Sequence, residues 1–453
     1  FAIIVLVGSG IYFTLRLHCI QLTHMGEAIR LLIRRRSAET GISPLAAFML
    51  SSAMRVGPGN ILGVTGAISV GGPGALFWMW VSAFFGMGTA FVEGTMAQLF
   101  KEKRRGQFVG GLPFYGRALF GGSRTVGIFL SLLYIFYALG CLPAQGYNVV
   151  SSVGAIGSLV SGVEVPTKSF FYYGTAAVVL LFTAVLAFGG IKKVTRATNA
   201  MVPVMAVIYV ATTVLLIVTN VQSVPCFFEA VFTGAFRPEA FFGGVFGTVL
   251  VQGVKRGLMS NEAGQGTITM SAASADDEHP CEQGLLSAAG VFLDTHIICT
   301  MTGLTIVITG SDKVGLEGVD VTIRAFGQGL PWSETFGAIL LMICLAVFAF
   351  TTTLGWDYYG ERCLEYFTNK NMKAVKAYRY LYILAVLIGP FLTLEFVWTF
   401  ADIFNGLMAF PNLVGLLGLS GVVAAETRSY FKRLNAGEVD EGEKFRKKQK
   451  NAA

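Results

Sequence analysis

Residues Arg55 to Trp80 read RVGPGNILGVTGAISVGGPGALFWMW, a long apolar stretch interrupted by Gly57-Pro58-Gly59-Asn60. A helix carrying that tetrapeptide at membrane depth loses backbone hydrogen bonds, because Pro58 has no N–H and both glycines favour non-helical angles. Lipid offers no replacement partners. Such a break persists only where other protein or a polar cavity meets the freed N–H and C=O groups. It therefore marks a place that binds something polar, unless a neighbouring helix simply fills a kink.

Composition sets the surroundings of that break. The 453-residue chain is 54% hydrophobic and only 13% charged, with a mean hydropathy of +0.63. No soluble domain of this size needs so apolar a composition, so the chain reads as an all-α, polytopic membrane protein whose partner is lipid. The net charge of +7 falls mostly in the loops between apolar spans. There it acts as an orientation signal and excludes nucleic acid as a partner. Seven cysteines are scattered without a C-x-x-C pair or zinc spacing and read as small packing residues.

Eleven apolar segments can each supply the roughly 20 helical residues that cross about 30 Å of hydrocarbon. They cover approximately residues 1–17, 45–70, 73–100, 125–150, 168–188, 198–219, 240–272, 283–310, 333–360, 376–399 and 401–425. Counting Lys and Arg in alternate loops gives 27 on one side and 4 on the other. The positive-inside rule then predicts an external N-terminus and a cytoplasmic C-terminus, in a cell membrane. The tail 426–453 is charged and predicted to start as a helix that frays.

With residues 1–44 set aside as a peripheral helix and basic loop, ten spans remain. They divide into two fives of opposite orientation, 45–219 and 220–425. Each half opens on a Gly-rich interruption, Gly57-Pro58-Gly59-Asn60 in one and Asn261-Glu262-Ala263-Gly264-Gln265-Gly266 in the other. Paired broken helices at matching places point to a 5+5 inverted-repeat transporter with its site near the midplane.

The run Gly71-Gly72-Pro73-Gly74-Ala75-Leu76-Phe77-Trp78-Met79-Trp80 resembles a signature of the alanine or glycine:cation symporter family. So do Ser260-Asn261-Glu262-Ala263-Gly264, His279-Pro280, Phe292-Leu293-Asp294-Thr295 and Trp356-Asp357-Tyr358-Tyr359-Gly360-Glu361, so the likeness covers nearly the whole chain. It implies the inverted-repeat fold of the amino acid-polyamine-cation superfamily, a small amino acid as substrate, and sodium as the coupled ion. A prokaryotic inner membrane is the expected location. The chain departs from the family pattern at Pro58, Asp357, Gln265 and Thr267, which leaves the identity of the amino acid open.

The N–H groups at Gly59 and Asn60, at the positive end of a half-helix, form a cradle for a carboxylate, with Gly57 beside them and the Asn60 amide as a further donor. Asn60 could equally serve only as a cap. Gln145 offers a carbonyl oxygen to an amino group, or a helix–helix contact. Phe246 and Trp356 are candidate aromatic walls. By resemblance, sodium is expected at Thr352 and Thr353 with carbonyls near Val56 and Gly59. Back-bonding of those threonines to the preceding turn is the alternative. Ionisable residues at membrane depth are Arg55, Glu93, Glu262, Asp294, Glu395 and Asp402. Of these, Arg55 and Glu262 are expected to form a gating or structural ion pair, with Lys255 or Arg256 as other partners for Glu262. An intramembrane enzyme using Glu262, Asp294 or His296 is the rival class, but no nucleophile elbow, zinc motif or nucleotide loop is present. The expected function is sodium-coupled import of alanine or glycine. Glutamine, serine or proton coupling remain as alternatives.

Overall fold

The computed structural model describes residues 2–34, 42–104, 107–167, 169–237, 248–316, 318–368 and 371–438. Among them, eight helices are long and apolar enough to cross a membrane: Ala75–Leu99, Arg124–Ser161, Phe170–Ala187, Lys193–Thr219, Pro280–Ile308, Glu334–Thr368, Met372–Phe391 and Glu395–Gly418. The remaining sequence-predicted spans are the 15-residue Ala2–Arg16 helix and two segments that are broken. The first broken segment comprises Pro44–Arg55 and Leu62–Gly71, the second Thr248–Asn261 and Thr267–Ser274.

Elements recur in the same order after each break. A helix of 25 or 29 residues comes first, and then a short helix, Leu112–Leu119 or Val319–Gly329. The two longest helices follow, of 38 and 35 residues, and after them helices of 18 and 20 and of 27 and 24 residues.

Burial separates centre from rim. In Ala75–Leu99 and Glu334–Thr368, 67% of the most apolar window is buried, against 28% in Phe170–Ala187, whose exposed Phe170, Leu181, Phe182 and Val185 face outward. Ala75–Leu99 packs along Pro280–Val291, and Arg124–Ser161 along Glu334–Thr368. Glycine permits the first of these contacts: a Cβ on Gly94 would lie 2.5 Å from Ser287 Oγ and 2.6 Å from the Gln283 carbonyl. Without a hydrophobic drive between helices in lipid, such close approach supplies the packing. Ala2–Arg16 lies outside this centre, against Ala75–Leu99.

Some boundaries differ from expectation. The span expected at 125–150 runs on to Ser161. The expected spans 376–399 and 401–425 divide at Gly389–Phe391, because Pro390 cannot continue a helix and Thr393 caps the next one by accepting the Phe396 N–H at 3.4 Å. The tail does start as a helix, Ser420–Asn435, but residues 439–453 lie outside the described part. So does Phe246, within 238–247.

Candidate functional site

The two breaks meet at the centre of the fold: a Cβ on Gly59 would lie 3.4 Å from Ser260 Cα. Between them lies a cavity of about 50 Å³ lined by Arg55, Gly57, Gly59, Gln145, Glu262, Thr352 and Trp356 from the sequence-predicted set. Met259, Ser260, Gln265 and Asn405 line it too.

The first break is held by one side chain. Asn60 Oδ1 accepts the Gly57 N–H at 2.9 Å, and Asn60 Nδ2 donates to Asp294 Oδ1 at 2.7 Å. Its own N–H closes a 3₁₀ turn onto the Gly57 carbonyl. Asn60 is fully buried and absent from the cavity lining. This corrects the expectation that its amide faces a ligand: donor and acceptor are both spent inside the protein. Gly59 is different, since its N–H has no acceptor among the described residues and it lines the cavity.

Asp294 also accepts from Ser260 Oγ and Thr295 Oγ1, each at 2.9 Å. One buried carboxylate thus ties both breaks to the Pro280–Ile308 helix. It sits where that helix widens into a π-helical stretch, Phe292–Cys299, a distortion often found at functional sites.

The second break is held by Glu93. Its two oxygens accept the N–H groups of Gly264 and Gly266 at 3.0 and 2.8 Å, and Asn412 Nδ2 at 2.7 Å. Both glycines have left-handed backbone, φ +86° and +84°, which a side chain would strain. Asn261 Oδ1 takes the Ala263 N–H at 3.0 Å. In an unbroken helix the N–H groups of Ala263 and Gly264 would serve the carbonyls of Met259 and Ser260. Among the described residues neither carbonyl accepts a hydrogen bond; they lie at the negative end of a half-helix, on residues that line the cavity.

Thr352 Oγ1 donates to the Ala53 carbonyl at 3.1 Å as well as back to Phe348 at 2.9 Å. The Ala53 carbonyl is available because the Gly57 N–H has gone to Asn60, and the Val56 carbonyl because the Asn60 N–H has gone to Gly57. Thr353 Oγ1 only back-bonds, to Ala349 at 2.8 Å, and does not line the cavity. Of these oxygens, Thr352 Oγ1 and the Ala53 carbonyl are in direct contact at the first break.

Gln145 Oε1 and Trp356 Nε1 are buried without partners and line the cavity. The Trp356 ring packs edge-on to Tyr137, centroids 4.6 Å apart. The expected Arg55–Glu262 ion pair is absent: Arg55 Nη1 donates to the Ser287 carbonyl at 3.0 Å, reaching it across Gly290, which has no side chain to block the guanidinium. Lys255 pairs with Asp402 at 2.7 Å instead of Glu262. Sequence reasoning missed the roles of Ser260, Met259, Ala53 and Asn405. The place of Ser260 and Met259 beside the second break was the signal for two of them, and nothing in the sequence marked Asn405.

The chain matches the model of the sodium:alanine symporter family over residues 1–444. It is 37% identical to the sodium/alanine symporter AgcS of Methanococcus maripaludis, over 95% of this chain and 94% of that protein. It is 34% identical to the probable sodium/glutamine symporter GlnT of Bacillus subtilis, over 96% and 88%. The crystal structure of MhsT in complex with L-phenylalanine superposes with TM-score 0.59 at 13% identity, over 87% of this chain and 99% of that one, a likeness of fold alone.

Replacing Glu93 by Ala strands three buried donors at about 1–3 kcal/mol each, whereas Gln keeps one acceptor oxygen. Thermal unfolding in detergent should show a drop of several degrees for Glu93→Ala and a smaller one for Glu93→Gln. Equal melting of Glu93→Ala and wild type would show that the second break does not depend on this carboxylate.

Proposed function

Because the chain belongs to the sodium:alanine symporter family, we propose that it imports alanine or glycine, D or L, together with sodium by alternating access. The observation that carries this reading is the pair of uncommitted half-helix ends at one cavity. The Gly59 N–H lies at the positive N-terminal end of one half-helix, and the Met259 and Ser260 carbonyls at the negative end of the other. A zwitterion fits that arrangement, its carboxylate on Gly59 with Gly57 beside it, and its ammonium on the carbonyls with Gln145 Oε1. Trp356 walls the side-chain end. Asn60 acts by holding the break in shape. The small size of the cavity supports a small amino acid over one as large as glutamine. Family membership makes the chain a transporter and not an intramembrane enzyme.

Sodium is proposed at the carbonyls of Ala53 and Val56 and the hydroxyls of Thr352 and Thr353. The resemblance placed Gly59 in that set. Its N–H suits it to the substrate side instead. The same hinge then serves both ligands, which supports coupled binding. We further propose that 45–219 and 220–425 are the inverted halves. The recurring order of element lengths supports this division. The asymmetry of 27 to 4 basic residues supports an external N-terminus and a cytoplasmic C-terminus in a prokaryotic inner membrane.

In right-side-out vesicles, an inward sodium gradient should drive accumulation of labelled alanine, and unlabelled alanine or glycine should compete better than glutamine. Thr352→Ala should raise the half-saturating sodium concentration severalfold while Thr352→Ser changes it little. Accumulation driven equally by a proton gradient without sodium, or an unchanged sodium dependence in Thr352→Ala, contradicts the ion assignment. For orientation, a cysteine introduced at the exposed Val314 should react with an impermeant thiol reagent added outside intact cells. Protection there would invert the topology.

A further inference from the structure

A second cavity, of about 610 Å³, opens on the basic face and is lined by Thr195, Arg196, Asn199, Ser274, Tyr358 and Arg362. Three elements connect it to the central cavity. Ile42 and Ser274 line the outer cavity, while Met54 and Arg55, and Gln265, at the far ends of the same segments, line the central one. The Glu334–Thr368 helix places Thr352 and Trp356 in the central cavity and Tyr358 and Arg362 in the outer one. From Thr352 to Arg362 along that helix is about 15 Å. The hydroxyls of Ser274 and Tyr358, on the wall of the outer cavity, are hydrogen-bonded to each other.

Two buried polar atoms on side chains that line the outer cavity have no partner among the described residues. Arg362 is 6% exposed: its Nη1 binds Glu365 at 2.9 Å and Gln107 Oε1 at 3.2 Å, and its guanidinium lies over the Tyr358 ring, but Nε has no acceptor. Thr195 is 7% exposed, and its Oγ1 has no partner, not even the preceding turn. Orphaned buried donors are costly, and their side chains line one cavity from two different helices. Arg196 lines the same space and adds a full positive charge.

We propose that this vestibule is a second, weaker site for the carboxylate of the transported amino acid, formed by Arg362 Nε, Thr195 Oγ1 and Arg196, and reached from the central cavity past the Ser274–Tyr358 hydrogen bond. The proposal rests on the amino-acid reading above. A ligand leaving the Gly59 N–H passes to a second set of donors before entering bulk water. The site therefore governs loading and release at one face only.

The test uses the full-length protein in right-side-out and inverted membrane vesicles, with labelled alanine as the probe and initial uptake measured at each face. Thr195→Val combined with Arg196→Gln removes two of the three donors. The half-saturating alanine concentration at the face bearing the vestibule should rise about tenfold, the scale of one charge-assisted hydrogen bond. At the opposite face it should stay within about twofold, which also reports correct folding, and Thr195→Ser should behave as wild type. An equal change at both faces, or at neither, overturns the proposal while leaving the central site intact. If wild-type vesicles of neither orientation take up alanine, the amino-acid reading fails, and this inference fails with it.

Discussion

In hydrocarbon every backbone N–H and C=O released by a broken helix must find a partner, and here two buried carboxylates meet part of that demand, on the N–H side. Glu93 gathers the N–H groups of Gly264 and Gly266, and Asp294 anchors Asn60, which in turn holds the Gly57 N–H. Each carboxylate reaches a break from a neighbouring unbroken helix, Ala75–Leu99 or Pro280–Ile308. The breaks are therefore fixed both by those helices and by their own residues, Asn60 in the first and Asn261, Gly264 and Gly266 in the second.

What the carboxylates leave unsatisfied defines the chemistry. Around the first break, the Gly59 N–H and the carbonyls of Ala53 and Val56 are released; around the second, the carbonyls of Met259 and Ser260. Groups of opposite partial charge thus lie on residues that line one small cavity. The carbonyls nearest Thr352 lie one helical turn away, against Glu334–Thr368. A ligand at Gly59 and a cation at Thr352 would both pull on residues 53–60, which gives a direct physical route for coupling between them.

The fold was legible because its signals are long. Apolar spans, basic loops and two Gly-rich interruptions survive errors of several residues at any boundary. The division at Pro390 was missed because Phe391 to Trp398 is apolar enough to read as continuing the preceding helix. Of the residues expected at the site, Gly57, Gly59, Gln145, Thr352 and Trp356 line the central cavity. Asn60 was read in the right place with the wrong partner. An asparagine at a break offers the same donors to a ligand as to a buried acid, and Asp294 lies more than two hundred residues away in sequence. The Arg55–Glu262 pair failed for a similar reason. Charge complementarity suggested it, but the space left by Gly290 takes the guanidinium to a backbone carbonyl.

The central claim is that the cavity recognises both ends of a zwitterion through opposed half-helix ends. Equilibrium binding to the purified protein, at saturating sodium, of alanine and its two half-ligands, propionate without the ammonium and ethylamine without the carboxylate, tests it most directly. Each half-ligand forgoes hydrogen bonds to a charged group worth roughly 1.5–3 kcal/mol, so each should bind at least about tenfold more weakly than alanine. Propionate or ethylamine binding as tightly as alanine would contradict the account, because one of the two half-helix ends would then contribute nothing to recognition.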